Sequence, residues 1–90
     1  MYLEIVTPEA VLFKGKVTSV TLPSAKGTFQ ILESHAPIVS LLEKGNIKFK
    51  ETEVEIFEKS KFEQLAGENI LPITSGTIEQ NHNRIVILAE

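Results

Sequence analysis

Apolar residues alternate with polar ones in short runs along most of this chain, and turn-forming residues separate the runs. A period of two places alternate side chains on the two faces of a strand, whereas a helix needs apolar residues three and four positions apart. The runs cover residues 3–7, 28–32, 38–42, 47–50, 54–57, 70–74, 77–79 and 84–88. Short strands at this spacing, with no long helical pattern, predict an antiparallel β-sandwich or barrel.

Three stretches need a separate interpretation. Residues 11–14 and 16–22 flank Gly15, which predicts two strands joined by a tight hairpin. The polar residues 51–53 predict a connection between strands 47–50 and 54–57. We predict coil for residues 59–67, although Phe62, Leu65 and Ala66 also fit one face of a short helix that ends at Gly67.

The length of 90 residues predicts one domain with one core, spanning residues 1–90. The chain contains no cysteine, which excludes disulfides and thiol catalysis. Its first residues lack the features of a signal or transit peptide, and no apolar run approaches the ~20 residues of a membrane-spanning helix. A net charge of −3 with interspersed signs offers no basic stripe, so nucleic-acid binding is not expected.

The polar residues form no recognisable catalytic, metal or cofactor motif. His35 and His82 are the only histidines, too few for a zinc site, and His35 is better explained by a loop-fixing hydrogen bond than by a general-base role. The glycines open no phosphate-binding helix. We interpret the alternating acidic residues as a solvated strand face: they are Glu4, Glu9, Glu51, Glu53, Glu55 and Glu58. We predict that four phenylalanines belong to the core: they are Phe13, Phe29, Phe49 and Phe57.

Several segments resemble a known family. LEIVTPE (residues 3–9), FKGKV (13–17), SVTLP (19–23), GTFQIL (27–32) and HAP (35–37) follow one another as they do in the N-terminal domain of the ATP synthase epsilon subunit. SGTIE (75–79) and VILAE (86–90) continue the resemblance, and roughly residues 50–69 fall outside it. The resemblance implies a flattened antiparallel β-sandwich of about ten short strands.

The same resemblance implies a function. The family's sandwich domain is a non-catalytic rotor part of F-type ATP synthase that joins the gamma subunit to the c-ring and couples ion-driven rotation to ATP synthesis. The family's helical hairpin, which restrains hydrolysis and in some members holds a nucleotide, has no counterpart in these 90 residues. We therefore expect no cofactor or bound nucleotide, and a peripheral subunit on the cytoplasmic face of the bacterial inner membrane that reaches the membrane only through the complex.

The resemblance also suggests two contact regions. Those expected to face the c-ring are Ser24, Ala25, Lys26, Gly27, Thr28, Leu32, Glu33 and Ser34. Those expected nearest gamma are His35, Ala36, Pro37, Val39 and Leu42. Proline and glycine fix the shape of such loops in advance, which lowers the ordering cost of binding.

Two other functions compete with the rotor hypothesis. A stand-alone β-sandwich that binds a peptide or a sugar would act as a monomer and leave ATP synthase intact when deleted. A small hydrolase would need a nucleophile beside a base, and the sequence presents no such motif.

Overall fold

The computed structural model describes residues 1–32 and 37–90, and these form an almost entirely β structure. The elements are β1 (Tyr2–Val6), β2 (Val11–Ser24), β3 (Gly27–Ile31), β4 (Ile38–Leu42), β5 (Gly45–Phe57), a 3₁₀ turn (Lys59–Lys61), β6 (Glu63–Leu65), β7 (Glu68–Ile73), β8 (Gly76–Asn81) and β9 (Arg84–Ala89). The all-β prediction is therefore confirmed, with nine strands among the described residues.

The strands form one hydrogen-bonded sheet in the order β4-β8-β9-β1-β2-β5-β7-β6, with β3 paired to β2. Neighbouring strands are antiparallel except β1 and β9, which run parallel with Glu4 opposite Val86. The inward-facing side chains of strands near both ends of the strand order belong to one hydrophobic cluster. The sheet therefore folds over on itself, with the core between its two halves.

Two long strands, β2 and β5, are continuous at the two places where the sequence predicted a turn or connection. The hairpin predicted at Gly15 is wrong, since residues 11–24 form one strand, and the connection predicted at residues 51–53 lies inside β5. The pairing of β2 with β5 shifts register between Lys14 and Gly15, between Lys16 and Val17, and between Val17 and Val20. Such β-bulges bend a strand without ending it, so β2 and β5 contribute to both halves of the sheet.

The core is built around aromatic rings. Phe13 and Phe49 are fully buried, with ring centroids 4.5 Å apart. Phe62 packs edge-on against Phe49 at 5.6 Å, and Phe57 packs against Phe62 at 5.1 Å. The prediction of core phenylalanines is confirmed for Phe13 and Phe49, whereas Phe29 and Phe57 are partly buried against the cluster.

Residues 59–67 form more structure than the predicted coil, and the alternative helix is wrong. After the 3₁₀ turn, β6 and β7 make a hairpin whose turn residues, Ala66 and Gly67, have φ of 53° and 79°. Phe62 enters the core while Leu65 stays 69% exposed. Phe62 and Leu65, which a helix would place on one face, therefore lie in different environments, one buried and one exposed.

Candidate protein-interaction surfaces

Five of the residues expected to face the ring meet at one hairpin tip. Ser24 and Gly27 close the β2–β3 hairpin, and Ala25 and Lys26 form its turn. The Ser24 hydroxyl donates a hydrogen bond to the Gly27 carbonyl oxygen at 2.6 Å and accepts one from the Lys26 backbone N–H at 3.4 Å. Gly27 has a φ of 106°, which a residue with a Cβ rarely adopts. The tip is exposed from Ala25 to Thr28, Ser24 is half-buried, and the tip's own hydrogen bonds hold it in one shape.

The remaining ring-facing residues are not part of this tip. Leu32, which is 55% exposed, follows the opposite end of β3, roughly 15 Å from the turn at the usual rise of a strand. Glu33 and Ser34, and also His35 and Ala36 of the expected gamma contact, lie outside the described residues.

The expected gamma contacts divide between the two faces of β4. Pro37 is exposed before the strand, and Val39 is 79% exposed on its outer face. Leu42, in contrast, is 4% exposed and belongs to the core, so its side chain supports β4 from inside and is not available to a partner. The expected gamma contacts thus include residues from both faces of β4, and only those on the outer face are accessible to a partner.

A larger apolar surface lies beside Val39, and the sequence reasoning missed it. Glu79 interrupts this surface between Val39 and Val86. Leu41 on β4 pairs with Thr77 on β8, Thr77 pairs with Leu88 on β9, and Leu88 pairs with Val6 on β1. Paired residues point to the same side of a sheet, so these four side chains form a row on one face. Leu41 and Leu88 are 74% and 54% exposed. We call this surface the outer apolar face, and it consists of Val6, Val39, Leu41, Val86 and Leu88. The alternation in residues 38–42 and 84–88 carries this signal, but only the strand order shows that the residues are neighbours.

A cleft of about 550 Å³ opens at one end of the outer apolar face. Leu41, Leu88 and Val6 form part of its lining, together with Pro8 and the C-terminal Glu90. An apolar recess beside exposed leucines is a typical feature of protein-binding surfaces.

A second cleft, of about 740 Å³, lies farther along the same side, and most of the residues that line it have polar side chains. The Tyr2 hydroxyl donates a hydrogen bond to the Glu55 carboxylate, which raises the pKa of Tyr2 to about 12. Arg84 donates to Glu4 at 3.1 Å and lies over the Tyr2 ring at 5.9 Å. These contacts tie β1 to β5 and to β9, so they stiffen the sheet beside the outer apolar face.

The described residues offer little for other chemistry. Within residues 1–32 and 37–90, no three His, Cys, Asp or Glu side chains come close enough together to hold a metal ion. Nor does this part of the chain contain a helix of the length and apolar character that a membrane crossing requires. The features that stand out are the hairpin tip and the outer apolar face.

Comparison with known proteins decides the family. The model of the ATP synthase delta/epsilon chain β-sandwich domain matches residues 1–90, the whole chain. The chain belongs to this family. The epsilon chain is a non-catalytic subunit of ATP synthase.

Individual relatives support the assignment. The chain is 34% identical over 88 residues to the ATP synthase epsilon chain of Chlorobium limicola, an alignment that covers 98% of this chain and 86% of that one. It is 36% identical over 90 residues to the epsilon chain of Campylobacter curvus, covering 100% of this chain but 60% of the relative. The delta/epsilon-family chain thus spans most of the first relative and a smaller part of the second.

Solved structures share the fold. A chain of the central stalk and c-ring structure of the Tetrahymena thermophila mitochondrial ATP synthase superimposes with a TM-score of 0.72 at 17% identity, covering 99% of this chain and 62% of that one. A chain from the Euglena gracilis mitochondrial ATP synthase also gives a TM-score of 0.72, at 18% identity. The folded-over sheet is therefore the family's β-sandwich.

Proposed function

We propose that this chain is the central-stalk rotor subunit that joins the gamma subunit to the c-ring and couples ion-driven rotation to ATP synthesis. It would work as a peripheral subunit on the cytoplasmic face of the bacterial inner membrane and reach the membrane through its complex. The family and the epsilon-chain relatives support this role. One related fold comes from a structure of the central stalk and c-ring, and the other from a structure of OSCP, F1 and the c-ring.

The observation that carries the proposal is the outer apolar face. Leu41 and Val39 are exposed by 74% and 79% although they belong to a regular strand. Full burial of such side chains contributes about 1.5–3 kcal/mol each, so a partner that covers this face gains substantial binding free energy. We assign this face to gamma, together with Pro37, which lies just before β4. Val39 and Pro37 are residues that the resemblance already suggested. Leu41 and Leu88 replace Leu42, whose side chain is buried.

A rotor joint must also be stiff. β2 and β5 run through both halves of the sheet, so a force applied at the hairpin tip reaches the outer apolar face through continuous hydrogen-bonded strands. We assign the tip, Ser24 to Thr28, to the ring. Two simultaneous contacts retain the subunit far better than either alone, because binding at one raises the effective concentration at the other.

Replacing Leu41 and Leu88 together by aspartate tests this assignment. We expect the double variant to bind purified gamma at least about 100-fold more weakly, because two central apolar contacts are replaced by buried unpaired charges. Both positions are exposed in the free chain, so its thermal unfolding should stay close to that of the wild type. Titration calorimetry with gamma measures the affinity.

Leu65→Asp is the matched control, since Leu65 is 69% exposed on β6, at the other end of the strand order. This variant should bind gamma like the wild type. Equal affinity of the wild type and the Leu41/Leu88 double variant would contradict the proposed gamma contact.

A further inference from the structure

A basic cleft lies between the β2–β3 hairpin and the turn that joins β4 to β5. Lys44 and Lys48 line it, and Lys26 lies between two of its lining residues, Ser24 and Gly27. The two turns and the start of β5 carry three lysines against one glutamate, Glu43, which gives this region a net charge of +2. Because the whole chain carries −3, subtracting this +2 leaves −5 for the remainder. This end therefore carries a local excess of positive charge on an otherwise acidic protein.

The lysines of this cleft are not paired within the part of the chain that the structure describes. Ion pairs there join Lys16 to Glu53 at 3.5 Å and Arg84 to Glu4 at 3.1 Å, on other strand segments. Lys26, Lys44 and Lys48 have no described carboxylate within 4.0 Å. Their charges are therefore available to an incoming acidic group.

The cleft is also shaped in advance. Its volume is about 290 Å³, and Thr21, Ser24 and Thr28 are among the residues that line it. Gly45 packs so closely on Pro23 that a Cβ there would lie 2.7 Å from the proline Cβ, and the Glu43 N–H donates to the Pro23 carbonyl oxygen at 3.2 Å. These contacts hold the β4–β5 turn against the hairpin, so a ligand pays little ordering cost.

We infer that this basic cleft receives an acidic polar loop of the ring, with a ring carboxylate held between Lys44 and Lys48. The inference rests on the proposed function, because the cleft shares the hairpin that we assign to the ring, and it adds the chemistry of the partner surface. A carboxylate that accepts from two lysines makes charge-assisted hydrogen bonds, and the hydroxyl groups of Thr21 and Thr28 offer further donors. The Ser24 hydroxyl does not, because it already donates to the Gly27 carbonyl oxygen.

An anionic membrane is the weaker occupant on the same evidence. A single lysine near such a surface adds only a modest attraction, and the membrane repels the acidic remainder of the chain. A ring loop, in contrast, would bind the cleft while gamma binds the outer apolar face. Because the two contacts form in the same complex, neither has to be strong alone.

The test uses the full chain in complex with gamma and the detergent-purified c-ring of the same organism. We expect Lys44→Glu/Lys48→Glu to bind the ring about 10- to 100-fold more weakly than the wild type, because attraction becomes like-charge repulsion. The wild-type affinity should fall with added salt, and amidation of the ring's exposed carboxylates should reproduce the loss. Lys59→Glu/Lys61→Glu is the control, because it changes the net charge equally beyond the far end of β5.

The outcomes separate the two proposals. Full ring binding by the Lys44/Lys48 variant, or by amidated rings, would overturn the acidic-loop inference and leave the rotor function standing. Failure of the wild-type complex to bind the ring at all would overturn both. Binding of the wild type, but not of the variant, to ring-free phosphatidylglycerol vesicles as tightly as to the ring would show a lipid occupant and also overturn the inference.

Discussion

Replacing Phe49 by alanine is expected to lower the free energy of unfolding by about 3–5 kcal/mol. Phe49 is fully buried and contacts two other rings, Phe13 at 4.5 Å and Phe62 at 5.6 Å between centroids. Its removal leaves a cavity between rings that belong to β2, β5 and the segment before β6, and their backbones are too firmly paired to close it. A 90-residue domain has a total stability of roughly 5–13 kcal/mol, so this loss threatens folding.

Urea unfolding followed by circular dichroism measures the effect. Phe29→Ala is the matched comparison, since Phe29 is only partly buried against the same core and should cost clearly less. Equal losses for the two variants would contradict the core that the structure describes.

Substituting alanine for Gly15 is expected to destabilise the chain by about 2–4 kcal/mol, a large effect for one methyl group. A Cβ at Gly15 would lie 2.2 Å from the carbonyl oxygen of Glu53, which is a backbone atom of the paired strand. The oxygen can move away only if the β2–β5 pairing shifts at its bulge, and this pairing connects the two halves of the sheet.

Thr18→Ala provides the control on the same strand, because Thr18 is exposed and its loss should change stability by no more than about 0.5 kcal/mol. Thermal melting of the two variants side by side measures the difference. A Gly15→Ala melting temperature equal to that of Thr18→Ala would show that β2 and β5 are not as closely packed at this point as the structure indicates.

The strands were the part of the fold that the sequence predicted well. Alternation identified β1, β3, β4, β8 and β9 because each is short and has one buried face. It failed at Gly15 because glycine marks a close backbone approach as often as a turn, and the pattern of side chains is the same in both cases. The parallel pairing of β1 with β9 depends on residues about 80 positions apart, which no local pattern contains.

The surfaces that we propose as contact regions were predictable only in part, for the same reason. The turn-forming residues around Lys26 identified the hairpin tip, because their conformational preferences are local. The assignment of Leu42 to a partner, and the omission of Leu41, followed from knowing the strand without knowing which face is buried. The basic cleft joins two turns that are about 20 residues apart, so it becomes visible only when β2 and β5 are paired.

The most direct test of the rotor proposal is a pull-down of the tagged chain from the detergent-solubilised membranes of its own host, with mass spectrometry of the proteins that accompany it. We predict recovery of gamma, the c-ring and the catalytic subunits in the same complex, with loss of gamma when Leu41 and Leu88 are replaced by aspartate. Recovery of the chain alone, as a free monomer, would contradict the proposal.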